Sequence, residues 1–427
     1  MKHTVSECHL SGGASGLIID VPGSSVVSLQ VRFNSGYQFA NRARYEVPHV
    51  MEHILANVTA KHSAPNEFMI EAQKNGAYVN ASTSVDVNGY IYEFAEFELD
   101  RIVGLLEEQL AEPFFDQDVL IAELGNVKEE LLRITTQHST VCSIRLAEKS
   151  FPQLWLDYEK RISQLDSITL DEVRDHYTRT HTSANARFVV AGNFPDGGEK
   201  LRKQLDQVFG RLPKGERLVR LRDIGLGLPK PIITKRSIGQ MYYRVVMYFG
   251  ELTEPERRAL TLLRFVLVGG MASRVLGEAR RRGLAYTVGA VGHAEPGNSS
   301  FGFLGYVSLD NAMALFELTA REYNNVRRGD LTEIELDAAK DLLVGSMTRS
   351  TQTAGDLLGW YMEPYDESGE IRDFESSLDL LRQVRIDEIV GVAEKASAAS
   401  RPGLSFLGKV NAEIAKEYES ALKGIWL

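Results

Sequence analysis

The alternation of apolar and polar residues predicts a β-strand near the beginning of the chain. From residue 26 to residue 33, apolar side chains at the odd positions alternate with Ser28, Gln30 and Arg32. This period of two is typical of a strand that buries one face, and turn-forming residues follow at positions 34–36. Further strands of this half are predicted over residues 78–84, 89–94 and 187–192.

Apolar residues at helical spacing predict several helices between these strands. Pro48 fits the first turn of a helix over about residues 47–58, because a backbone N–H there would have no partner within the helix. Asp116 is a plausible N-cap for a longer helix that runs to about residue 134. The other helices predicted in this half cover residues 65–74, 99–110 and 170–180.

The second half of the chain repeats the order of elements. Residues 212–231 are rich in Pro and Gly and predict a linker. Strands then follow at 241–249 and 301–307, and helices at 255–268, 311–327 and 332–353. Gly192, at the end of a strand, recurs as Gly408, and the triplet at 171–173 recurs in similar form at 387–389. We therefore predict an α+β protein with two related domains, residues 1–211 and 232–427, each an antiparallel sheet backed by helices.

Composition narrows the class of protein. The 427 residues are enough for two or three domains, and a net charge of −10 argues against a general nucleic-acid binder. Only two cysteines are present, which excludes a disulfide framework. Apolar runs of membrane-spanning length are lacking, and polar residues interrupt the N-terminus, so we expect no membrane span, no signal peptide and a cytoplasmic location.

Residues 49–53 read His-Val-Met-Glu-His and form the first candidate metal motif. His49 and His53 are one helical turn apart, so both imidazoles can point at one ion. Two neutral imidazoles suit Zn²⁺, and Glu52 beside them could take a proton from a bound water. This is the inverted H-x-x-E-H order of zinc hydrolases. The alternative is a surface helix with two solvated histidines.

A catalytic zinc needs a third protein ligand, and the helix after Asp116 offers Glu123, Glu129 and Glu130. Glu123 and Glu130 are two turns apart and share a face. One of them could bind the metal while the other orients a ligand or the water. The alternative is a solvated acidic face of the helix.

With these residues the chain resembles the pitrilysin/insulinase-type metallopeptidases, which include the mitochondrial processing peptidases and their bacterial relatives. His53 and Glu130 are separated by the 76 residues that this family places between its motif and its distal ligand. Residues 76–86 resemble its G-x-x-N-A-x-T-S-x-D strand. Residues 269–274 and 282–286 resemble its G-G-M-S-S-R and R-G-L-A-Y segments. The resemblance spans nearly the whole chain.

The resemblance implies roles for the residues of the first half. It implies one Zn²⁺ per chain held by His49, His53 and Glu130, with Glu52 as general base and Glu123 as a supporting residue. The N-terminal domain is then the catalytic one.

The same resemblance places Asn80 and Ala81 on the edge strand that, in the family, pairs with an extended substrate backbone. In the second half, Tyr286 matches the tyrosine that contributes to the family's site. The arginine normally found seven residues earlier falls on Ala279 here, so we expect Arg280 in that role, with Arg281 as a rival.

The expected function is that of a zinc-dependent endopeptidase for flexible or unfolded peptides, with zinc-bound water attacking the peptide with help from the general base. The C-terminal domain has no His/Glu set where the zinc helix would recur, so one zinc site per chain is expected. In single-length relatives the second domain of one chain faces the first domain of its partner, so the resemblance implies a dimer that closes around a chamber. We expect a homodimer, with a heterodimer of related chains as the alternative, and neither nucleic-acid nor membrane partners. Other possibilities are a catalytically weak or structural subunit of a heteromeric peptidase, and a metal enzyme of the same fold that acts on a small molecule.

Overall fold

The computed structural model describes residues 1–222, 225–295, 297–398 and 402–426, without the side chain of Glu295. These residues form two compact units, each assembled from three segments. The first unit contains Met1–Leu132, Tyr158–Leu221 and Thr348–Arg372, and the second contains Arg133–Asp157, Arg222–Met347 and Asp373–Leu427. The predicted linker includes residues 223 and 224, which lie outside the described residues. Residue 427, at the end of the predicted C-terminal domain, also lies outside them. The predicted domain boundaries stay a prediction.

The described residues contain eleven strands, numbered in chain order. They are β1 (Thr4–His9), β2 (Ser15–Asp20), β3 (Val26–Asn34), β4 (Tyr78–Thr83), β5 (Val87–Ala95), β6 (Ala186–Gly192), β7 (Ile232–Lys235), β8 (Met241–Phe249), β9 (Val288–Glu295), β10 (Asn298–Val307) and β11 (Gly403–Gly408).

The same residues contain sixteen α-helices. They are α1 (Val47–Asn57), α2 (Glu67–Ala72), α3 (Leu99–Ala111), α4 (Gln117–Ile134), α5 (His138–Ser150), α6 (Tyr158–Leu165), α7 (Leu170–Thr180), α8 (Glu199–Gly210), α9 (Glu254–Val268), α10 (Leu276–Arg281), α11 (Leu309–Arg327), α12 (Glu333–Arg349), α13 (Ala354–Ser368), α14 (Phe374–Arg382), α15 (Ile386–Ser397) and α16 (Ala412–Leu422).

Each unit is built on one sheet, and the two sheets have matching strand orders apart from β1, an additional edge strand in the first. The first sheet has the order β1-β2-β6-β3-β5-β4 and the second has the order β7-β11-β8-β10-β9. The predicted α+β class with helices backing a sheet in each half is confirmed. The expectation of purely antiparallel sheets is wrong at one pair in each, because β2 runs parallel to β6 and β7 runs parallel to β11.

The positions of the helices agree with a duplication. The starts of α4 and α12 are at residues 117 and 333, those of α5 and α13 at 138 and 354, and those of α7 and α15 at 170 and 386. The separation is 216 residues in every case, the offset that the sequence repeats at 171 and 387 already showed.

One helix in each unit comes from the other half of the chain. In the first unit, α13 packs against β2, β3 and β6, where Leu357, Tyr361 and Met362 are buried. In the second unit, α5 packs against β7, β8 and β11. Each sheet therefore packs against a helix that is distant in sequence from most of its strands. Within the described residues, no helix is both long and apolar enough to cross a membrane.

The core of the first unit positions α1. Its apolar residues Val47, Val50, Met51, Ile54 and Leu55 are buried in the main cluster of this unit. They recur at spacings of three and four, which forms one continuous stripe along a helix. The residues between them face elsewhere, so the stripe fixes where the polar side chains of the helix point.

Candidate metal centre

Helix α1 carries both motif histidines on one side. Pro48 lies in its first turn, and the two imidazole rings are 4.8 Å apart in an edge-to-face arrangement. The Nε2 atom of His49 and the Nε2 atom of His53 each lie 3.6 Å from the same oxygen, Oε2 of Glu130. Three donor atoms from two helices therefore converge on one point.

Helix α4 supplies the carboxylates. Its buried apolar residues Leu120, Val127 and Leu131 hold one face against the core, and Glu123 and Glu130 follow Leu120 and Val127 by three residues each. This repeat of seven places both carboxylates at the same edge of the packed face. Glu129, one position before Glu130, is exposed.

The geometry fits a tetrahedral zinc ion. Zinc binds histidine nitrogen and carboxylate oxygen at about 2.0–2.2 Å. At a tetrahedral angle, a nitrogen and an oxygen bound to the same ion are therefore about 3.4 Å apart. The observed 3.6 Å between each Nε2 atom and the carboxylate oxygen of Glu130 is close to that value and longer than a good hydrogen bond. His49, His53 and Glu130 could therefore hold the metal. Glu52 lies nearby, since ligand atoms of His49, Glu52 and His53 are within 4.8 Å of one another.

The second ring nitrogen of His53 is also bound. Its Nδ1 donates to Oε2 of Glu123 at 3.0 Å. The same carboxylate accepts hydrogen bonds from the side-chain amides of Asn57 and Asn126, each at 3.0 Å. This leaves Nε2 of His53 as the atom that faces the convergence point, so Glu123 has the geometry of a residue that orients a ligand.

Sequence reasoning missed the equivalent partner of His49. The Nδ1 atom of His49 donates to Oε2 of Glu46 at 3.0 Å, and Glu46 is completely buried. Arg161 on α6 forms an ion pair with the other carboxylate oxygen. A glutamate three residues before a motif histidine at a helix start was the available signal for Glu46, whereas nothing in the sequence connects Arg161 with it.

Several carboxylates raise the pKa of the histidines. Burial lowers the pKa of His53, but Glu123 and Glu130 outweigh it and raise the pKa to about 10. Burial also lowers the pKa of His49, but Glu130 and Glu46 outweigh this effect, so the pKa of His49 is raised. The imidazoles hold the pKa of Glu130 well below its usual range. These directions reflect a concentration of negative charge that a divalent cation would neutralise.

Glu52 occupies a different environment. It is buried, and desolvation raises the pKa of its carboxyl despite the opposing effect of His53 and His49. One of its oxygens accepts a hydrogen bond from Oγ1 of Thr83 at 3.2 Å. A carboxylate with a raised pKa is a stronger base than an ordinary one, which suits proton transfer near neutral pH.

The predicted substrate strand lies at the edge of the first sheet. The strand β4 contains Asn80 and Ala81 and pairs with β5 on one side, where Asn80 lies opposite Ile91 and Ala81 opposite Tyr90. The strand order places β4 at the end of the sheet. Asn80 is exposed, and β4 also carries the Thr83 that contacts Glu52. An edge strand of this kind can take another strand by backbone pairing.

Arg280 and Tyr286 lie together in the second unit. The guanidinium of Arg280 stacks on the ring of Tyr286 at 4.0 Å and donates to the backbone oxygen of Tyr286 at 3.0 Å. Arg281, the rival, forms an ion pair with Glu278, and Ala279 is completely buried. The contact supports pairing Arg280 with Tyr286, and their role in catalysis stays a prediction.

The described residues of the second unit lack the donor set. The positions 216 residues after Glu123 and Glu130 are Ala339 and Ser346 on α12. Within the described part of the chain, the one group of His, Cys, Asp and Glu side chains close enough to share an ion is the group on α1.

Fold and site together define an α+β protein with an inverted His/Glu metal motif on a helix. The family model described as Insulinase (Peptidase family M16) matches residues 17–154, and the model described as Peptidase M16 inactive domain matches residues 167–343. The chain belongs to the insulinase family, peptidase family M16. The model named for an inactive domain covers much of the half without the donor set.

Known relatives are consistent with this membership. The chain is 22% identical to the uncharacterized zinc protease YmxG of Bacillus subtilis (strain 168) over 84% of this chain and 89% of that protein. It is 24% identical to the uncharacterized zinc protease Rv2782c of Mycobacterium tuberculosis (strain ATCC 25618 / H37Rv) over 84% and 83%. A crystal structure of a protease from Helicobacter pylori shares the fold, with a TM-score of 0.84, 17% identity and coverage of 96% of this chain and 100% of the other.

Proposed function

We propose that this protein is a zinc-dependent endopeptidase that cleaves flexible or unfolded peptides. The observation that carries the proposal is the convergence of both imidazole Nε2 atoms on the Glu130 carboxylate, with Glu52 buried beside them. Membership of a peptidase family and relatives named as zinc proteases support the same assignment.

In this proposal His49, His53 and Glu130 hold one zinc ion per chain. When bound, the ion would lower the pKa of a water and polarise the carbonyl of the scissile bond. Glu123 orients the imidazole of His53 and Glu46 orients that of His49, each by accepting a hydrogen bond from the Nδ1 atom of the ring.

Glu52 takes the proton from the attacking water and delivers it to the leaving amine. Its burial supports this role, because desolvation raises the pKa of the carboxyl and so strengthens it as a base. Thr83 holds one carboxylate oxygen, which leaves the other free to receive the proton.

The substrate pairs with β4 in an extended conformation along Asn80 and Ala81. Backbone pairing recognises an extended chain rather than particular side chains, so we expect broad sequence preference. Folded proteins rarely offer a free extended segment, and flexible peptides are therefore the favoured substrate class.

The active form in this proposal is a homodimer in which Arg280 and Tyr286 of one chain act at the metal site of the other. Tyr286 is 72% exposed, and the contact with Arg280 holds its ring in place. The tyrosine hydroxyl is then available to stabilise the oxyanion that forms during peptide cleavage. A heterodimer with a related chain and the cytoplasmic location remain predictions.

The test is incubation of purified zinc-loaded protein with a mixture of unstructured peptides, analysed by mass spectrometry. We expect internal cleavage that stops when a zinc chelator is added and returns when zinc is restored. Intact peptides in the presence of zinc-loaded protein would contradict the proposal and direct attention to a structural subunit role. Cleavage that persists with chelator would contradict the role of the metal.

A further inference from the structure

Glu46 is a buried carboxylate with no solvent contact, placed one residue before α1 begins. One of its oxygens accepts from Nδ1 of His49 at 3.0 Å, and the other binds Arg161. A carboxylate is rarely buried without a compensating partner, because the desolvation cost is large. Glu46 satisfies both oxygens within the protein, and one of its two partners is a predicted metal ligand.

Arg161 is held as firmly as its partner. It lies on α6, is 3% exposed, and its guanidinium stacks on the rings of Tyr37, Tyr45 and Tyr158 at 4.6, 5.3 and 4.7 Å. Cation–π contacts of this kind are strongest when the cation is removed from water. The aromatic residues therefore fix the position of Arg161, which in turn fixes Glu46.

We propose that Glu46 and Arg161 are positioning residues for the metal: Glu46 sets the tautomer and ring orientation of His49, and Arg161 sets the position of Glu46. The inference rests on the proposed function, because it concerns the same metal site. A carboxylate that accepts Nδ1–H leaves the lone pair on Nε2, the atom that faces Glu130.

The two histidines of the motif thus have different supports. Glu123, which holds His53, is itself held by the neutral amides of Asn57 and Asn126. Glu46 is held by a charged guanidinium from a separate helix. Placement of His49 consequently depends on the docking of α6, a segment more than 100 residues away in sequence.

The test is the zinc affinity of the folded full-length protein, measured by competition with a chromophoric chelator and without peptide. Substitution Glu46→Gln keeps the shape of the side chain and removes its charge, and we expect zinc affinity to fall about ten- to a hundredfold. Arg161→Lys keeps the charge but loses the planar fork and the stacking, and we expect a smaller loss of affinity. Glu129→Gln, an exposed change on α4, is the matched control and should bind zinc like the wild type.

A purely structural pair would behave differently. Substitution in such a pair would lower the unfolding free energy of the metal-free protein, while the zinc affinity of the folded fraction would stay within about twofold of wild type. That result would overturn the proposal. If Glu46→Gln does not fold, the Arg161→Lys variant decides: unchanged affinity overturns the role of Arg161. Wild-type protein that binds zinc but cleaves no peptide would refute the proposed function while leaving this inference intact.

Discussion

A chain of buried and partly buried hydrogen bonds fixes the carboxylate of Glu52. Thr83 donates to Glu52, Asn88 donates through Nδ2 to Oγ1 of Thr83 at 2.6 Å, and Ser35 donates to Oδ1 of Asn88 at 2.6 Å. Asn88 is completely buried and also donates to the backbone oxygen of Pro48 in the first turn of α1. The hydroxyl of Thr83 therefore has a defined direction, which points its hydrogen at Glu52.

Removal of that hydroxyl tests whether it orients the base. We expect Thr83→Val to lower kcat about tenfold or more, since a hydrogen bond to a charged group contributes about 1.5–3 kcal/mol. KM should change little, because the hydroxyl contacts Glu52, the proposed base, and the proposed substrate pairing uses the strand backbone. Thr83→Ser restores the donor and should recover most of the rate. Steady-state kinetics on a peptide known to be cleaved provide the measurement, and an unchanged kcat in Thr83→Val would contradict the role.

The sequence predicted part of this site for clear physical reasons. Helical periodicity alone places His49 beside His53 and Glu123 on the same face as Glu130, so local spacing was sufficient. Arg161 meets Glu46 only after α6 packs beside residues 42–44, just before α1, and no local pattern encodes that contact. Residue spacing within one helix is thus predictable, whereas pairing between distant segments depends on the tertiary fold.

Among the strands, the alternation of apolar and polar residues made β3 predictable but gave no signal for β2. The strand β3 alternates apolar and polar residues and was recognised. The strand β2 is buried along nearly its whole length, so it lacks the alternation that would mark it, and its parallel pairing with β6 was missed. The helix α13 packs on a sheet formed by the other half of the chain, which chain order gives no reason to expect.

The edge strand β4 makes a prediction about substrate backbones. In strand pairing, every second N–H of the added peptide bonds to the edge and the others point away. If each residue of the peptide is N-methylated in turn, KM should therefore rise at every second position, where the N–H bonds to β4. The positions between them, where the N–H points away, are the controls. Competition assays with a methylation series of one cleaved peptide provide the measurement. Equal effects at successive positions would contradict pairing along Asn80 and Ala81.

At the scale of the whole molecule, the proposed dimer predicts complementation between two inactive chains. Glu52→Gln removes the proposed base and Tyr286→Phe removes the predicted oxyanion partner, so each variant alone should be nearly inactive. If each site combines the base of one chain with the tyrosine of the other, mixed dimers contain one complete site, and a remixed equimolar sample should regain about a quarter of wild-type activity. Activity that does not rise on mixing would place both residues in one chain or exclude a role for Tyr286.

Buried histidines predict how stability depends on pH. Burial lowers the pKa of His176 to about 4, and its Nε2 donates to the backbone oxygen of Ser35 at 2.8 Å. In the unfolded chain the pKa of a histidine is about 6.5, so between these values the unfolded state binds the proton. This contribution to stability is complete above about pH 6.5 and is lost as the pH falls towards 4.

Urea unfolding of wild type and His176→Gln between pH 5 and 7 tests this linkage. We expect the unfolding free energy of wild type to fall relative to the variant by about 1.4 kcal/mol for each pH unit below 6.5. The comparison of the two proteins removes the contributions of other titrating groups. Parallel pH profiles for both would contradict the assignment of a neutral buried imidazole at position 176.

In the proposed function, one cluster binds zinc and cleaves peptides, with separate residues for the two tasks. The most direct test measures zinc per chain and peptide cleavage on the same preparations of wild type, Glu52→Gln, Glu130→Gln and the exposed control Glu129→Gln. We predict that wild type and Glu129→Gln bind one zinc and cleave, that Glu52→Gln binds one zinc without cleaving, and that Glu130→Gln loses both. Cleavage by Glu52→Gln, or full zinc binding and activity in Glu130→Gln, would contradict the account.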